Sequence, residues 1–175
     1  MRERRVLEVL KPQKSDKVLE VGFGKGKILK TLAPHIGQLV GVDIEEDLVL
    51  RGSQRLDFDN LELKRAPAEN LPFEEASFDA VVCSFSYHEF SDGTQALAEI
   101  YRVLKPLGRL VIVDPSKDYR LVRLLSRLDK HAQMRAFEEL KKEMLVAGFS
   151  NIIGEKYRTK WILGEMWLEG TKPGN

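Results

Sequence analysis

Cysteine is almost missing from this chain. Of 175 residues only Cys83 carries a thiol, so no internal disulfide can form, and its place in the apolar run Ala80–Cys83 marks it as a small buried hydrophobe rather than a reactive nucleophile. Long hydrophobic stretches are missing as well: runs such as Leu110–Val113 are far too short to span a bilayer. The charged start, Met1 to Lys17, lacks the apolar segment of a secretory leader. Net charge is close to zero, because 28 Lys and Arg face 27 Asp and Glu, so there is no overall field to attract nucleic acid or an anionic membrane. There is no repeat, low-complexity tract or dividing linker. These absences lead us to expect one cytoplasmic domain over residues 1–175, with no membrane span and no nucleic-acid partner.

What is present is an alternation of short β-rich runs and longer helical stretches. The strands read as Lys17 to Val21, Gln38 to Ile44, Asn60 to Ala66, Phe78 to Phe85 and Arg109 to Asp114. Helical patterns lie near Lys25 to Pro34, Glu45 to Leu56 and Gly93 to Leu104. Consecutive apolar positions, as in Leu39-Val40-Gly41-Val42 and Ala80-Val81-Val82-Cys83, suit strands covered on both faces. Strict strand–helix–strand order implies right-handed crossovers and a parallel sheet. Beyond the fifth strand, two helices, Asp118 to Lys130 and Arg135 to Ala147, precede two β-like runs, Phe149 to Arg158 and Lys160 to Gly170. The connection between these runs is so short that they can pair only antiparallel.

The sharpest local feature is Val18-Leu19-Glu20-Val21-Gly22-Phe23-Gly24-Lys25-Gly26-Lys27-Ile28, a strand entering a Gly-x-Gly-x-Gly turn with a helix directly after it. Gly22, Gly24 and Gly26 permit the turn and let a ligand approach bare backbone, and the unpaired N–H groups of a helix start suit an anionic group. A dinucleotide would need a small residue where Lys27 stands, and Glu20 would face its pyrophosphate. A carboxylate at that place suits an ammonium instead. Asp43 ends the second strand at the spacing of a residue that accepts ribose hydroxyls, or it caps the helix beginning near Glu45. Ile44 could pack against the face of a base.

These residues carry a resemblance. The runs Val18 to Gly26 and Gly41 to Ile44, with Ala68-Glu69-Asn70-Leu71-Pro72-Phe73, Ser77 to Val82 and Ile100 to Gly108, resemble the motifs of class I S-adenosylmethionine-dependent methyltransferases. The likeness is to the small-molecule branch that includes the ubiquinone and menaquinone enzymes. It implies an α/β fold: a Rossmann-like, doubly wound, mostly parallel seven-stranded sheet with an antiparallel terminal strand pair, and a helical insertion near 116–132 on the substrate side. It also implies S-adenosyl-L-methionine as cofactor. Glu20 and the glycine turn (Gly22, Gly24, Gly26) would hold its methionine portion, Asp43 the ribose and Ile44 one adenine face. Ala68 would offer its N–H to the adenine edge with Glu69 beside it, and Ser84 and Phe85 would present backbone to the amino end. Pro67 stands where the family often has an Asp.

Methyl transfer needs alignment and exclusion of water, and a base only when the acceptor arrives protonated. Ser84-Phe85-Ser86-Tyr87 lacks the Asn/Asp-Pro-Pro-aromatic run of enzymes that methylate planar amino groups. His88 is the candidate catalytic base, with packing beneath the turn as its alternative role. The row Arg120, Arg123, Arg127 and Lys130 is either a solvated face or a landing surface for an anionic acceptor. A small-molecule acceptor is the leading expectation. A non-catalytic cofactor-binding partner subunit and an RNA methyltransferase are the alternatives, and a homodimer is left open by the short segment before the first strand.

Overall fold

The computed structural model describes residues 2–126, 133–158 and 164–174. Five strands run parallel: β1 (Lys17–Val21), β2 (Gln38–Asp43), β3 (Leu61–Arg65), β4 (Phe78–Ser84) and β5 (Leu104–Pro115). They are completed by β6 (Ser150–Arg158) and β7 (Gly164–Thr171), and β7 pairs antiparallel with both β5 and β6. The order β3-β2-β1-β4-β5-β7-β6 gives the expected Rossmann-like sheet, with its antiparallel pair at one end. The order reverses between β1 and β4, which opens a crevice at the carboxyl ends of the strands.

Alternation along the strands explains why both faces are covered. Leu19 and Val21, Val81 and Cys83, and Leu110 and Ile112 join one core. Their neighbours Val18, Ala80, Val82, Val111 and Val113 join the other. Helix α4 (Gly93–Val103) covers the first face with Ala96, Leu97, Ile100 and Val103, spaced as one helical stripe. Asp92 caps this helix by accepting the N–H groups of Thr94 and Gln95 at 3.0 Å each. Helix α6 (Phe137–Val146) adds Leu140 and Met144 to the same face. The other face carries α2 (Lys27–Leu32), α3 (Glu46–Arg55) and an amino-terminal helix, α1 (Arg2–Leu10), that the alternation pattern did not reveal. Its apolar side is formed by Val6, Val9 and Leu10.

The fifth strand starts earlier than its β-rich run suggests. Leu104 already pairs with Phe78, and the register shifts before Arg109 meets Ala80, so Lys105 to Gly108 interrupt the ladder. The helical pattern from Asp118 contracts to α5 (Arg120–Leu125). On it Val122 is buried while Arg120, Arg123 and Leu124 are exposed. Arg127, Leu128, Lys130 and Trp161 lie outside the described residues. Among the described residues no helix is long and apolar enough to cross a membrane.

Candidate functional site

Three strands end in carboxylates: Glu20 near the end of β1, Asp43 at the end of β2 and Asp114 near the end of β5. Glu20 and Asp43 line a cavity of about 570 Å³ in the crevice, within the usual size of a small-molecule site. Its floor is Glu20, 1% exposed, whose Oε2 has no hydrogen-bond partner among the described residues. Burial pushes this carboxyl well above the usual range; the Leu29 N–H opposes the shift, and the neighbouring charge of Asp43 adds to it. A buried carboxylate oxygen without a donor is costly, and a ligand that brings a cationic N–H relieves the cost.

The glycine turn forms one wall. Gly22 and Gly24 have φ of +74° and +53°, a region where side chains are strained. A Cβ on Gly22 would collide with Cβ of Ser86, whereas a Cβ on Gly24 would meet nothing within 4 Å and project into open space. Gly26, the residue before α2, would press a Cβ against Leu56 at 2.6 Å. The Ser86 hydroxyl donates to the Val21 carbonyl at 2.6 Å and so ties the turn after β4 to the glycine turn.

Asp43, 7% exposed, accepts the Gly24 N–H at Oδ2 (2.8 Å) and the Glu45 N–H at Oδ1 (3.1 Å). It therefore takes part in the approach to α3 and faces the cavity at once. Ile44 beside it is 58% exposed, an apolar side chain with one face open on the cavity wall. Opposite stand Ala66, Pro67 and Ala68. Glu69 also lines the cavity, but its carboxylate accepts the Ser91 hydroxyl (2.9 Å) and the Asp92 N–H (3.0 Å), fastening this loop to the start of α4. Burial works against its ionisation, and the Asp92 N–H, the Ser91 hydroxyl and the backbone N–H groups of Glu69 and Ser91 together hold it below the usual carboxylate range. Ser84 and Phe85 complete the wall, Phe85 with φ of +57°.

His88 is not among the cavity-lining residues. It sits in the 3-10 turn Tyr87–Glu89, 9% exposed, with Nδ1 2.9 Å from Asp114 Oδ1. Its ring meets the Phe85 ring edge-on at 6.5 Å between centroids. Tyr87 on the same turn buries its ring in the core and donates its hydroxyl to Glu143 Oε2 at 2.8 Å. Sequence reasoning missed Asp114, although its place at a strand's carboxyl end is the signal that singled out Glu20 and Asp43. It also missed Glu3, which α1 brings to the cavity, and Glu89, which follows His88.

The donor set fits S-adenosylmethionine: a buried carboxylate with one unpartnered oxygen for an ammonium, a second carboxylate for hydroxyls, an open glycine for close approach and an exposed Ile for a base. Residues 19–112 match a family described as "Methyltransferase domain". The chain is similar to an "Uncharacterized methyltransferase YcgJ" of Bacillus subtilis, 36% identical over 101 residues, covering 56% of this chain and 40% of that one. A demethylmenaquinone methyltransferase of Thermotoga maritima is 37% identical over 114 residues, covering 63% and 48%. The chain thus spans about half the length of the curated relatives it matches. The crystal structure of the YcgJ protein of Bacillus subtilis superposes with a TM-score of 0.85 at 20% identity over 99% of each chain, a likeness of fold. With more than half of its residues matched, the chain belongs to the methyltransferase domain family, whose cofactor is S-adenosylmethionine.

Proposed function

We propose that the chain transfers a methyl group from S-adenosylmethionine to a small-molecule acceptor. The observation that carries this reading is the orphaned Oε2 of Glu20 on the floor of a cavity flanked by Gly24 and Asp43. In this reading Glu20 receives the ammonium of the methionine portion, beside the bare backbone of the glycine turn. Asp43 keeps lone pairs for ribose hydroxyls while holding the Gly24 and Glu45 N–H groups, because a carboxylate can accept about four bonds. Ile44 packs on one face of the adenine, Ala68 serves its edge through backbone N–H, and Ser84 and Phe85 present backbone near the amino end. Glu69 acts one step removed, by fixing the loop that carries Ala68.

The bound cofactor supplies an electrophilic methyl on a sulfonium. The protein supplies orientation and dryness, and orientation alone is worth roughly 7–11 kcal/mol in well-aligned reactions. The whole chain is read as one methyltransferase domain, with the described part of the segment after β5, residues 116–126, on the acceptor side. Relatives named demethylmenaquinone methyltransferase support an acceptor of the quinone class. So does the missing Asn/Asp-Pro-Pro-aromatic run after β4, which weighs against planar amino acceptors.

Titration calorimetry with S-adenosylmethionine tests the reading. Binding in the micromolar range is expected, and no heat at millimolar cofactor on a folded chain would overturn it.

A further inference from the structure

The cavity lining contains one consecutive run to which the reading above gives no part in holding the cofactor: Glu89, Phe90 and Ser91, which lead from the 3-10 turn toward α4. Phe90 and Ser91 belong to no helix or strand, so their backbone must be held from elsewhere. On one side the run is fastened to the cofactor half of the cavity, where the Ser91 hydroxyl donates to Glu69. On the other side it is fastened by Gln133. The Gln133 backbone N–H donates to the His88 carbonyl at 2.6 Å, and its side-chain Nε2 donates to the Ser91 carbonyl at 2.9 Å. Gln133 thus grips the two carbonyls that bracket Glu89 and Phe90.

Gln133 is itself held in place. Arg135 donates to its carbonyl and, at 3.2 Å, to its side-chain Oε1. An amide oxygen that accepts from a guanidinium leaves the amide nitrogen for the Ser91 carbonyl, which fixes how the side chain is turned. The same guanidinium meets Glu143 Oε1 of α6 at 2.6 Å, and the Arg135 carbonyl accepts the Lys117 N–H, just past β5, at 2.9 Å. Glu143 Oε2 takes the Tyr87 hydroxyl, so α6 reaches the start of the turn while Gln133 reaches its end. Burial, with Glu143 beside it, pushes the Tyr87 hydroxyl up, and it stays a donor. Arg135 serves α6, whereas the bond from Gln133 Nε2 serves the cavity wall.

We propose that Gln133 is a positioning residue that sets the wall of Glu89, Phe90 and Ser91 against a quinone-class methyl acceptor. The proposal rests on the methyltransferase reading above. In that reading the glycine turn, Asp43, Ile44 and Ala68 are taken by the cofactor, which leaves this wall to face the acceptor. Alignment of the acceptor with the methyl carbon tolerates little error, since a displacement of about 1 Å can cost roughly 10²-fold in rate. A residue that touches neither reactant therefore governs the rate by fixing the wall.

Gln133→Glu tests this. It keeps the backbone bond to His88 and an oxygen for Arg135, but it replaces the donor to Ser91 with a carboxylate oxygen that repels the carbonyl. With labelled S-adenosylmethionine and 1,4-naphthohydroquinone as the probe, kcat should fall by roughly 10–10²-fold, while the cofactor Kd from calorimetry stays within about twofold. Amide hydrogen exchange should quicken at Phe90 and Ser91 and stay unchanged in the glycine turn. Gln133→Asn, one methylene shorter, should show the same pattern in weaker form, and it decides the matter if Gln133→Glu does not fold. A variant that loses stability but keeps the wild-type kcat and KM, or one whose cofactor affinity falls as far as its kcat, would overturn the proposal. So would a wild-type chain that binds the cofactor and leaves the probe unmethylated. A wild-type chain that does not bind the cofactor would instead overturn the methyltransferase reading beneath it.

Discussion

The Asp43 carboxylate accepts the Gly24 N–H at 2.8 Å, so the end of β2 is pinned to the turn that follows β1. The residue assigned to the ribose is thus also a fastener of the glycine turn. Asp43→Ala should therefore act twice. Two ribose hydroxyls lose a charged acceptor, which weakens cofactor binding by roughly 2–4 kcal/mol. Two backbone N–H groups lose their partner, which costs about 1–3 kcal/mol of stability. Calorimetry and thermal melting read the two effects separately. A variant with wild-type affinity would show that the ribose lies elsewhere, and one with a wild-type melting temperature would show that the turn does not depend on this fastening.

Gly22 and Gly24 should respond differently to the same added methyl. Gly24→Ala places Cβ in open ligand space, so the fold should lose only the cost of a left-handed backbone, about 1–2 kcal/mol, while cofactor binding should drop steeply. Gly22→Ala drives Cβ into Ser86, whose hydroxyl is held by the Val21 carbonyl, so its main effect should be on stability. Melting temperatures that rank the two variants the other way would mean that the turn is packed differently.

Glu20 makes the unliganded chain sensitive to pH. Its folded carboxyl is raised above the unfolded value, chiefly by burial, so the folded state holds a proton that the unfolded state has released. This contribution is fully present below about pH 4.5 and is lost as pH rises through the folded value, at up to about 1.4 kcal/mol per pH unit between the two. Glu20→Gln should flatten this part of the melting profile. Cofactor binding should reverse the preference, because an ammonium favours the ionised form. Calorimetry in buffers of different ionisation heat should then show proton release on binding, and identical heats in all buffers would count against the ammonium assignment.

The parallel core was legible because β1, β2, β4 and β5 are buried on both faces and therefore read as continuous apolar runs. The glycine turn, Glu20 and Asp43 were legible because a strand end, a turn and a helix start fall within a few residues of one another. Helix α1 escaped because only Val6, Val9 and Leu10 are buried on a short, otherwise charged segment that shows barely two turns of periodicity. The partnership of Asp114 with His88 escaped because the two residues are 26 positions apart on different elements, and strand alternation says nothing about which turn faces which strand end. His88 was singled out as a polar residue after the fourth strand, and the fold places it 9% exposed and outside the cavity lining. Only the fold shows that the residue holding it belongs to the neighbouring strand.

The reversed direction of β7 also sorts the two ends of the polypeptide. Gly164 starts β7, whose next residue Glu165 pairs with Pro115 near the crevice, and the strand then runs away from it to Thr171. Lys172 follows and locks onto the far end of α4 through the carbonyls of Tyr101 (2.9 Å) and Leu104 (2.8 Å). Glu3 of α1, in contrast, is one of the residues lining the cavity. A tether, tag or fused module joined behind Lys172 would therefore leave the crevice unobstructed, whereas one joined ahead of α1 would emerge at its entrance and compete with whatever enters.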